Sequence, residues 1–322
     1  MRALIFGVGG QDGSYLAKFL LSKGYEVIGS SRDAEISQFL NLKKLGIFEK
    51  VKKVSISIND YESVSNAIKV YKPDEIYNLA GQSSVGLSFE QPLESIESII
   101  KATLIILNAI KSTGKLIKFY SAGSSECFGN TNSLPADENT RLNPFSPYGI
   151  SKASSYWLVK SFRSTYQQYV CTGILFNHES PLRPKRFVTQ KIVQTVLKIK
   201  NGSENKLYLG NLDTKRDWGW APEYVEAIWL MLQQNIPEDF VIATGKSYSL
   251  LEFTQKVFQY FSLDSQDFIV IDKNFIRPND INDSYANPAL AKEKLGWSAK
   301  VNFEELIVRL CEEALKKEKE IF

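Results

Sequence analysis

The chain has 322 residues, of which 43% are hydrophobic and 23% charged, and its 39 basic and 36 acidic residues give a net charge of +3. This composition excludes a disordered chain, and the balanced, evenly spread charge argues against a nucleic-acid partner. Three scattered cysteines without a CxxC pair, and a single histidine, argue against a disulfide framework, a metal site and a Ser-His-Asp triad.

Alternating strands and helices predict an α/β fold with a Rossmann-type doubly wound parallel sheet. The predicted strands cover residues 3–6, 26–29, 51–56, 75–79, 116–121 and 171–176, and the predicted helices cover 13–23, 37–45, 61–71, 92–112 and 148–169. No apolar run reaches the roughly 18 residues of a membrane span, and the short opening run is not a signal sequence. We therefore expect a cytoplasmic protein without a membrane partner.

The segments after residue 176 are shorter and more irregular, with apolar stretches at 240–243, 251–261 and 268–271. They predict a smaller mixed α/β substrate-binding domain built onto the first sheet. The first domain is expected to span residues 1–176, and the second mainly 177–322, with residues of about 212–245 returning to the first domain.

A glycine-rich turn follows the first predicted strand and leads into the first helix. It contains Gly7, Gly10 and Gly13, with Gln11 and Asp12 before the last glycine. Such a turn lets the backbone approach a pyrophosphate, and the N-terminus of the following helix favours an anion. The spacing is GxxGxxG, so the position after strand one is what favours a dinucleotide cradle over a turn without a ligand.

The end of the second strand bears on the choice of dinucleotide. NAD enzymes commonly have an acidic residue there for the ribose 2′-hydroxyl, whereas this chain has Ser31 followed by Arg32 and Asp33. An arginine suits a 2′-phosphate, so NADP is favoured over NAD. The alternatives are that Arg32 is a solvent-facing charge, or that Asp33 pairs with it.

Tyr148 and Lys152 stand four residues apart at the start of a predicted helix, just after Pro147. This spacing puts both side chains on one helix face. The ammonium, together with a positively charged nicotinamide ring, is expected to lower the pKa of Tyr148. Tyr148 could then take a proton from a sugar hydroxyl while hydride leaves the same carbon, and Lys152 could hold the cofactor ribose.

Several longer segments are characteristic of one family. They include GQDGSYLAKFLLSKGYEV, YNLAGQSSVGLSFEQP, SSECFG, SPYGISKASSYW, GILFNHESP, FVTQKI, LGNLDTKRDWGWA and PEDFVIATG. Through them the chain resembles the GDP-mannose 4,6-dehydratase family of extended short-chain dehydrogenases/reductases over nearly its whole length. The resemblance implies an NADP-dependent hydro-lyase acting on a GDP-sugar, with Ile58, Leu79 and Ala80 also at the dinucleotide.

The family mechanism assigns roles to four residues. Tyr148, assisted by Lys152, deprotonates the C4 hydroxyl as NADP⁺ takes hydride from C4, while Ser124 hydrogen-bonds the C4 oxygen. Glu126 then removes the C5 proton as water leaves C6, and the hydride returns to C6. Glu126 is the most informative of the four, because a simple 4-reductase or 4-epimerase does not need a carboxylate there.

The resemblance also implies a set of substrate contacts. They are Ser83, Asn177, Val188, Lys191, Arg216 and Arg277, and the two arginines match those that meet the substrate pyrophosphate. Guanidinium groups suit phosphate oxygens geometrically, although a surface salt bridge is the alternative for each. His178 is expected to be structural rather than catalytic.

Departures from the family pattern lie on the substrate side. Ser84, Leu182 and Pro184 replace a histidine, an arginine and a glycine, and Ala286-Asn287 replaces Gly-Asp. Two alternative activities therefore stay open for the chain. It could be a 4,6-dehydratase acting on a GDP-manno-heptose, or an NADPH-dependent nucleotide-sugar 4-reductase or epimerase. A non-enzymatic protein on the same frame is a further alternative.

The superfamily pairs two long helices across a two-fold axis, which here correspond to residues 92–112 and 148–169. The second carries Tyr156, Trp157, Leu158 and Phe162, an apolar bulk that favours a homodimer or homotetramer. The alternative is that these side chains fill the core of a single subunit.

Overall fold

A computed structural model of the chain describes residues 1–276 and 279–319. The strands are β1 (Arg2–Phe6), β2 (Glu26–Ser31), β3 (Lys52–Ser55), β4 (Glu75–Asn78), β5 (Lys118–Ala122), β6 (Val170–Leu175), β7 (Asn177–Glu179), β8 (Leu207–Leu209), β9 (Lys215–Arg216), β10 (Trp218–Trp220), β11 (Phe240–Ile242), β12 (Tyr248–Ser249), β13 (Ile269–Ile271) and β14 (Asp283–Ser284).

Helices alternate with strands in the first part of the chain, up to β4. The helices are α1 (Gln11–Ser22), α2 (Leu40–Lys44), α3 (Tyr61–Tyr71), α4 (Val85–Glu90), α5 (Pro92–Ser95), α6 (Ala102–Ser112), α7 (Pro147–Tyr166), α8 (Val188–Lys200), α9 (Ala221–Gln233), α10 (Leu250–Tyr260), α11 (Ala289–Leu295) and α12 (Phe303–Lys319). Short 3₁₀ turns cover Phe48–Lys50, Ser125–Cys127, Ser265–Asp267 and Lys273–Phe275.

The central sheet has seven strands in the order β11-β6-β5-β4-β1-β2-β3, and all neighbouring strands are parallel. Helices cover both faces, because a parallel sheet needs crossover connections and these lie over its faces. One face packs against α1, α9 and α11, and the other against α3, α6 and α7. The predicted α/β doubly wound fold is therefore confirmed.

The smaller domain has its own apolar core, formed by α8, α10 and α12. Short strand pairs and a three-stranded sheet, in the order β12-β9-β14, surround this core. Two elements from the second half of the chain return to the large sheet: β11 pairs with β6, and α9 packs against α1. The segment with Ala291, Leu295 and Trp297 also joins the core of the large sheet, although the sequence did not indicate it.

Several helix boundaries differ from the sequence-based prediction. The helix predicted over 37–45 is shorter, because Phe39 has φ of 44° and therefore stands outside the helix that begins at Leu40. The helix predicted over 148–169 ends at Tyr166, where Gln167 has φ of 52°. The helix predicted over 92–112 contains a π-helical stretch, Ile96–Lys101, between α5 and α6.

Candidate active site

A cavity of about 570 Å³ opens at the carboxyl ends of β1, β4 and β5 and extends toward the smaller domain. The chain leaves β1 toward one side of the sheet and β4 toward the other. In open α/β sheets, ligands bind in the crevice at such a topological switch point. The volume is in the range of small-molecule and cofactor sites.

The glycine-rich turn after β1 forms a tight cradle beside this cavity. Gly7 has φ of 82°, and the backbone N–H of Gly10 donates to the Gly7 carbonyl over 3.1 Å. A Cβ atom on Gly7 would lie 2.8 Å from the Ala80 nitrogen, and one on Gly13 only 2.3 Å from the Gly7 carbonyl oxygen. Glycine is therefore required here by the close approach of three backbone segments, an arrangement that fits a dinucleotide phosphate.

The side chains of Gln11 and Asp12 turn toward the segment after β6. The Gln11 amide donates to the His178 carbonyl over 3.1 Å and accepts from the Ser180 hydroxyl over 2.7 Å. The Asp12 carboxylate meets the His178 ring at 2.9 Å. What these residues can offer a dinucleotide is thus mainly their backbone N–H groups in the first turn of α1.

The other residues predicted for the cofactor fall into two groups. Leu79 and Ala80 line the cavity where the chain leaves β4, as does Asp12 on α1. Arg32 is exposed just beyond the end of β2, and Ile58 is half-buried after β3 against the core under α3. Both lie at strand ends on the same edge of the sheet as the cradle.

The first turn of α7 holds the predicted tyrosine and lysine. Pro147 starts the helix, and the Ser146 side chain caps it by accepting from the Gly149 N–H over 3.0 Å. Tyr148 and Lys152 both line the cavity, and Lys152 Nζ donates to the Ala122 carbonyl over 2.7 Å. The spacing has therefore brought the two side chains to one wall, as predicted.

The strand-end turn with the predicted carboxylate packs directly on this helix. A Cβ atom on Gly149 would lie 2.7 Å from the Glu126 carbonyl oxygen, so glycine allows the close contact. The Ser124 side chain hydrogen-bonds Tyr148 and also accepts from the Glu126 N–H over 3.3 Å. Ser124 and Glu126 line the same cavity, which unites all four predicted catalytic residues.

The chain's own groups raise the pKa of Tyr148, whereas the lowered pKa expected from the sequence also depends on a positively charged nicotinamide ring. Burial raises it well above its usual value, and the negative charge of Glu126 adds to the shift, while Ser124 and Arg183 oppose it. Burial also lowers the pKa of Lys152 to about 8. The chain's own groups therefore favour a neutral phenol, because desolvation penalises the phenolate more than the nearby cations stabilise it.

Most residues predicted for the substrate line the far end of the cavity, toward the smaller domain. They are Ser83, Asn177, Val188, Lys191 and Arg216. The Nζ atom of Lys191 lies 3.3 Å from the centre of the Phe275 ring. Arg277 lies outside the residues that the structure describes.

Arg216 is buried and already engaged by acceptors on two of its nitrogens. One nitrogen donates to the Asp280 carboxylate over 2.7 Å, and the other to the Ile281 carbonyl over 2.7 Å. The pairing of Arg216 with Asp280 could not be predicted from the sequence, because 64 residues separate the two. The guanidinium is thus held at the cavity wall by a local ion pair.

Arg183 and Glu179 form a second charged group at the cavity. Arg183 Nε lies 3.5 Å from a Glu179 oxygen, and the Thr189 hydroxyl donates to that same oxygen over 2.6 Å. The guanidinium also stacks at 3.9 Å over the centre of the Phe187 ring. Within residues 1–276 and 279–319, no group of acidic, histidine or cysteine side chains could hold a metal ion.

No helix of the described chain combines the length and apolar character that a membrane crossing requires.

Sequence comparison places the chain among nucleotide-sugar enzymes. Residues 4–310 match the family model described as GDP-mannose 4,6 dehydratase. The chain is 43% identical over 324 residues to GDP-mannose 4,6 dehydratase 1 of Arabidopsis thaliana, covering 98% of this chain and 90% of that protein. It is 40% identical over 330 residues to GDP-mannose 4,6 dehydratase of Homo sapiens, covering 95% and 89%.

Solved structures share the fold at lower sequence identity. One is dTDP-glucose 4,6-dehydratase from Bacillus anthracis in complex with NAD, with a TM-score of 0.85 and 22% identity, covering 99% of this chain and 98% of that one. Another is RMD from Pseudomonas aeruginosa complexed with NADPH, with a TM-score of 0.79 and 19% identity, covering 98% of each chain. Both share the overall fold of this chain.

Proposed function

The chain belongs to the GDP-mannose 4,6-dehydratase family, and we propose that it converts GDP-mannose to GDP-4-keto-6-deoxymannose with tightly bound NADP. Membership of the family makes it an enzyme of the hydro-lyase class. One observation carries the assignment of the site: Ser124, Glu126 and Tyr148 line one cavity beside the glycine cradle.

The cradle and its surroundings are the proposed cofactor site. Gly7, Gly10 and Gly13 would admit the phosphates. A Cβ atom on Gly7 or Gly13 would collide with backbone, whereas one on Gly10 would lie 3.4 Å from the Gly7 carbonyl oxygen, an ordinary contact. Leu79 and Ala80 would border the dinucleotide, with Ile58 near its adenine. Arg32 supports NADP over NAD, because its exposed guanidinium stands at the strand end where a 2′-phosphate is recognised. When bound, the dinucleotide supplies a hydride acceptor for C4 and a hydride donor for C6.

The chain's own residues would manage the protons. Tyr148 would take the proton of the C4 hydroxyl, and Ser124 would hydrogen-bond the C4 oxygen as its charge changes. Lys152 would hold the cofactor ribose. Glu126 would remove the C5 proton, which a ketone at C4 makes acidic, as the C6 hydroxyl leaves as water. A proton returned to C5 would complete a net dehydration.

The proposed substrate contacts lie at the other end of the cavity. Arg216 would meet the pyrophosphate, and Val188 and Lys191 would border the guanine nucleotide. Ser83 and Asn177 would contact the sugar. Arg277 remains a proposal from the sequence for a second pyrophosphate contact.

A product assay tests this function. The purified protein is incubated with GDP-mannose and either a trace of NADP or an equimolar amount of NADPH. The nucleotide sugar is weighed by mass spectrometry, and NADPH is followed by its absorbance. We expect a product lighter by one water and no net consumption of a reduced dinucleotide. Stoichiometric consumption of NADPH, or a sugar of unchanged mass, would instead identify a reductase or an epimerase.

A panel of sugar nucleotides defines the substrate. GDP-manno-heptose is compared with GDP-mannose, and CDP-, UDP- and dTDP-sugars serve as controls for the nucleotide. If GDP-manno-heptose loses water faster than GDP-mannose, it replaces GDP-mannose as the proposed substrate. We also propose that the protein forms a homodimer or homotetramer and that it is cytoplasmic.

A further inference from the structure

One partly buried ion pair joins the cofactor cradle to the substrate side of the cavity. His178 Nε2 lies 2.9 Å from Asp12 Oδ2, although 166 residues separate the two in sequence. Asp12 belongs to the first turn of α1, and His178 lies in β7 between Asn177 and Glu179. We call this contact the Asp12–His178 bridge.

The hydrogen bonds of the ring indicate its protonation state. His178 Nδ1 lies 2.7 Å from the Phe176 carbonyl oxygen, while Nε2 faces the Asp12 carboxylate. A carbonyl and an ionised carboxylate can only accept hydrogen bonds, so both ring nitrogens must donate. Both nitrogens of an imidazole carry hydrogen only when it is positively charged.

The surroundings of the ring support this charge. Burial opposes it, but the Asp12 carboxylate outweighs burial and raises the pKa of His178 above its usual value. Despite burial, His178 lowers the pKa of Asp12 to about 2. Four further charged or titratable groups interact with the pair. Arg183 opposes the imidazolium, Lys152 and Tyr120 interact electrostatically with Asp12, and the Tyr224 ring stacks on the His178 ring at 4.7 Å between ring centres.

The place of Asp12 explains why a positive partner is needed. Its carboxylate lines the cavity in the first turn of the helix whose N-terminus faces the cradle. A helix N-terminus attracts anions, but an unpaired carboxylate in the same turn would repel a diphosphate. A neutral histidine would remove the positive charge that contacts this carboxylate directly, leaving only the electrostatic interactions of Asp12 with Arg183 and Lys152 among the cations described.

We propose that His178 is a positioning residue whose imidazolium neutralises Asp12 beside the dinucleotide phosphates and fastens the cradle to the segment that carries Asn177. The proposal rests on the cofactor site proposed above. It deepens that function, because it makes dinucleotide affinity depend on the charge of a residue outside the reacting groups. Affinity should be highest where His178 is charged, and should fall as pH rises through the pKa of His178.

The single histidine of the chain allows a direct measurement on the wild-type protein. In protein labelled with ¹⁵N-histidine, the two ring nitrogens of His178 can be followed by NMR against pH without any ligand. We expect both nitrogens to be protonated at neutral pH and to titrate above the usual histidine value of about 6.5. A neutral ring at neutral pH would overturn the proposal, whatever the enzyme does.

Variants test the link to the dinucleotide. We expect His178→Gln to weaken NADP binding by about tenfold or more, because a carboxylate is then unpaired near phosphates. The double variant Asp12→Asn/His178→Gln, which lacks both charges, should regain most of that affinity. Affinity is measured by calorimetric titration of the purified proteins across the pH range that the NMR titration defines.

The uncharged hydrogen bond between Ser180 and Gln11, which joins the same two segments as the Asp12–His178 bridge, provides the matched control. Ser180→Ala removes the 2.7 Å bond to Gln11 but no charge, so the pH dependence of binding should persist in it. A double variant that binds no better than His178→Gln would show a purely structural contact and overturn the proposal. If wild-type protein fails to bind any dinucleotide, the proposed function fails, whereas the NMR result stands by itself.

Discussion

At the scale of single residues, the geometry separates two proton-transfer roles. Tyr148 lies in the first turn of α7, where it is buried and contacts Ser124. Glu126 is only half-buried and lies in the turn after β5. Burial raises the pKa of the Tyr148 phenol, so the phenolate that would accept the C4 hydroxyl proton depends on the positive charge of a bound nicotinamide ring, whereas the Glu126 carboxylate already lines the cavity. Two acid–base groups in such different environments can act on different atoms of one substrate.

This difference predicts distinct defects for two variants. Glu126→Gln should slow loss of water by roughly 10²–10⁴-fold, because a positioned carboxylate contributes about that much to proton transfer. The dinucleotide should still bind and become reduced when GDP-mannose is added. Product mass and near-ultraviolet absorbance measure the two events separately.

Tyr148→Phe is the matched comparison for that variant. It should prevent reduction of the dinucleotide as well as loss of water, since the proton of the C4 hydroxyl then has no acceptor. Undiminished water loss by Glu126→Gln would rule out the role proposed for its carboxylate.

The sequence predicted those site residues that lie close together along the chain. Tyr148 and Lys152 are one helical turn apart, and Ser124 and Glu126 belong to one strand-end turn, so local spacing fixes each pair. The Arg216–Asp280 and Asp12–His178 pairs join residues that are 64 and 166 positions apart. Only the folded chain brings such partners together, which is why neither pair was predicted.

At the scale of elements, the contact between the glycine turn and α1 leaves the least space for a side chain. Gly13 lies in the first turn of α1 and faces the carbonyl of Gly7 and the Cα of Val8. Both neighbours are backbone atoms, which cannot rotate away as a side chain could. A methyl group there would have to shift the whole turn.

We therefore expect Gly13→Ala to destabilise the protein by about 1–3 kcal/mol and to abolish measurable dinucleotide binding. Gly9→Ala is the matched control in the same turn, because its Cβ would meet only the Phe39 ring at 3.6 Å. Thermal unfolding with and without NADP measures both effects. Equal behaviour of the two variants would contradict the required close approach.

Element types were predictable from the sequence, but their boundaries depend on single backbone conformations. The strands of the large sheet were identified because strands buried on both faces appear as continuous apolar runs. The left-handed conformations of Phe39 and Gln167 shorten two predicted helices. No residue type at those positions announces such a conformation, since both residues commonly continue a helix.

At the scale of the whole molecule, apolar side chains remain exposed on adjoining helices. On α7, Ile150 is 49% exposed and Trp157 is 55% exposed, two turns apart. On the neighbouring α6, Leu104 is 38% exposed. Tyr156 and Phe162, by contrast, are buried and fill the core of the subunit. The core-filling alternative from the sequence therefore applies to Tyr156 and Phe162, whereas a subunit contact through Trp157 stays a prediction.

This exposed surface predicts a subunit interface. Trp157→Glu should shift the protein to monomers, because a charge would be buried where two apolar surfaces meet. Light scattering coupled to size exclusion gives the mass directly. Tyr208→Glu is the control, since Tyr208 is a similarly exposed aromatic residue on the smaller domain. If Trp157→Glu keeps the mass of the wild type, these helices are not the interface.

The crossing of the chain between domains was only partly predictable. The sequence analysis expected residues of about 212–245 to return to the first domain, and this division stays a prediction; within that range, β11 pairs with β6 of the large sheet. The packing of α11 against the large sheet was not expected, because the helix has only seven residues and is rich in lysine. Short polar helices carry too little periodicity to indicate which core they join.

The position of β11 also has a consequence for biosynthesis. Every residue of β6 is buried in the finished protein, and β11 supplies its outer neighbour. A nascent chain that has emerged only as far as β6 therefore presents an apolar strand with an open edge, the kind of surface that attracts other chains. Ribosomes that pause within the intervening segment, or a gene split after residue 176, would prolong this state and favour aggregation over assembly.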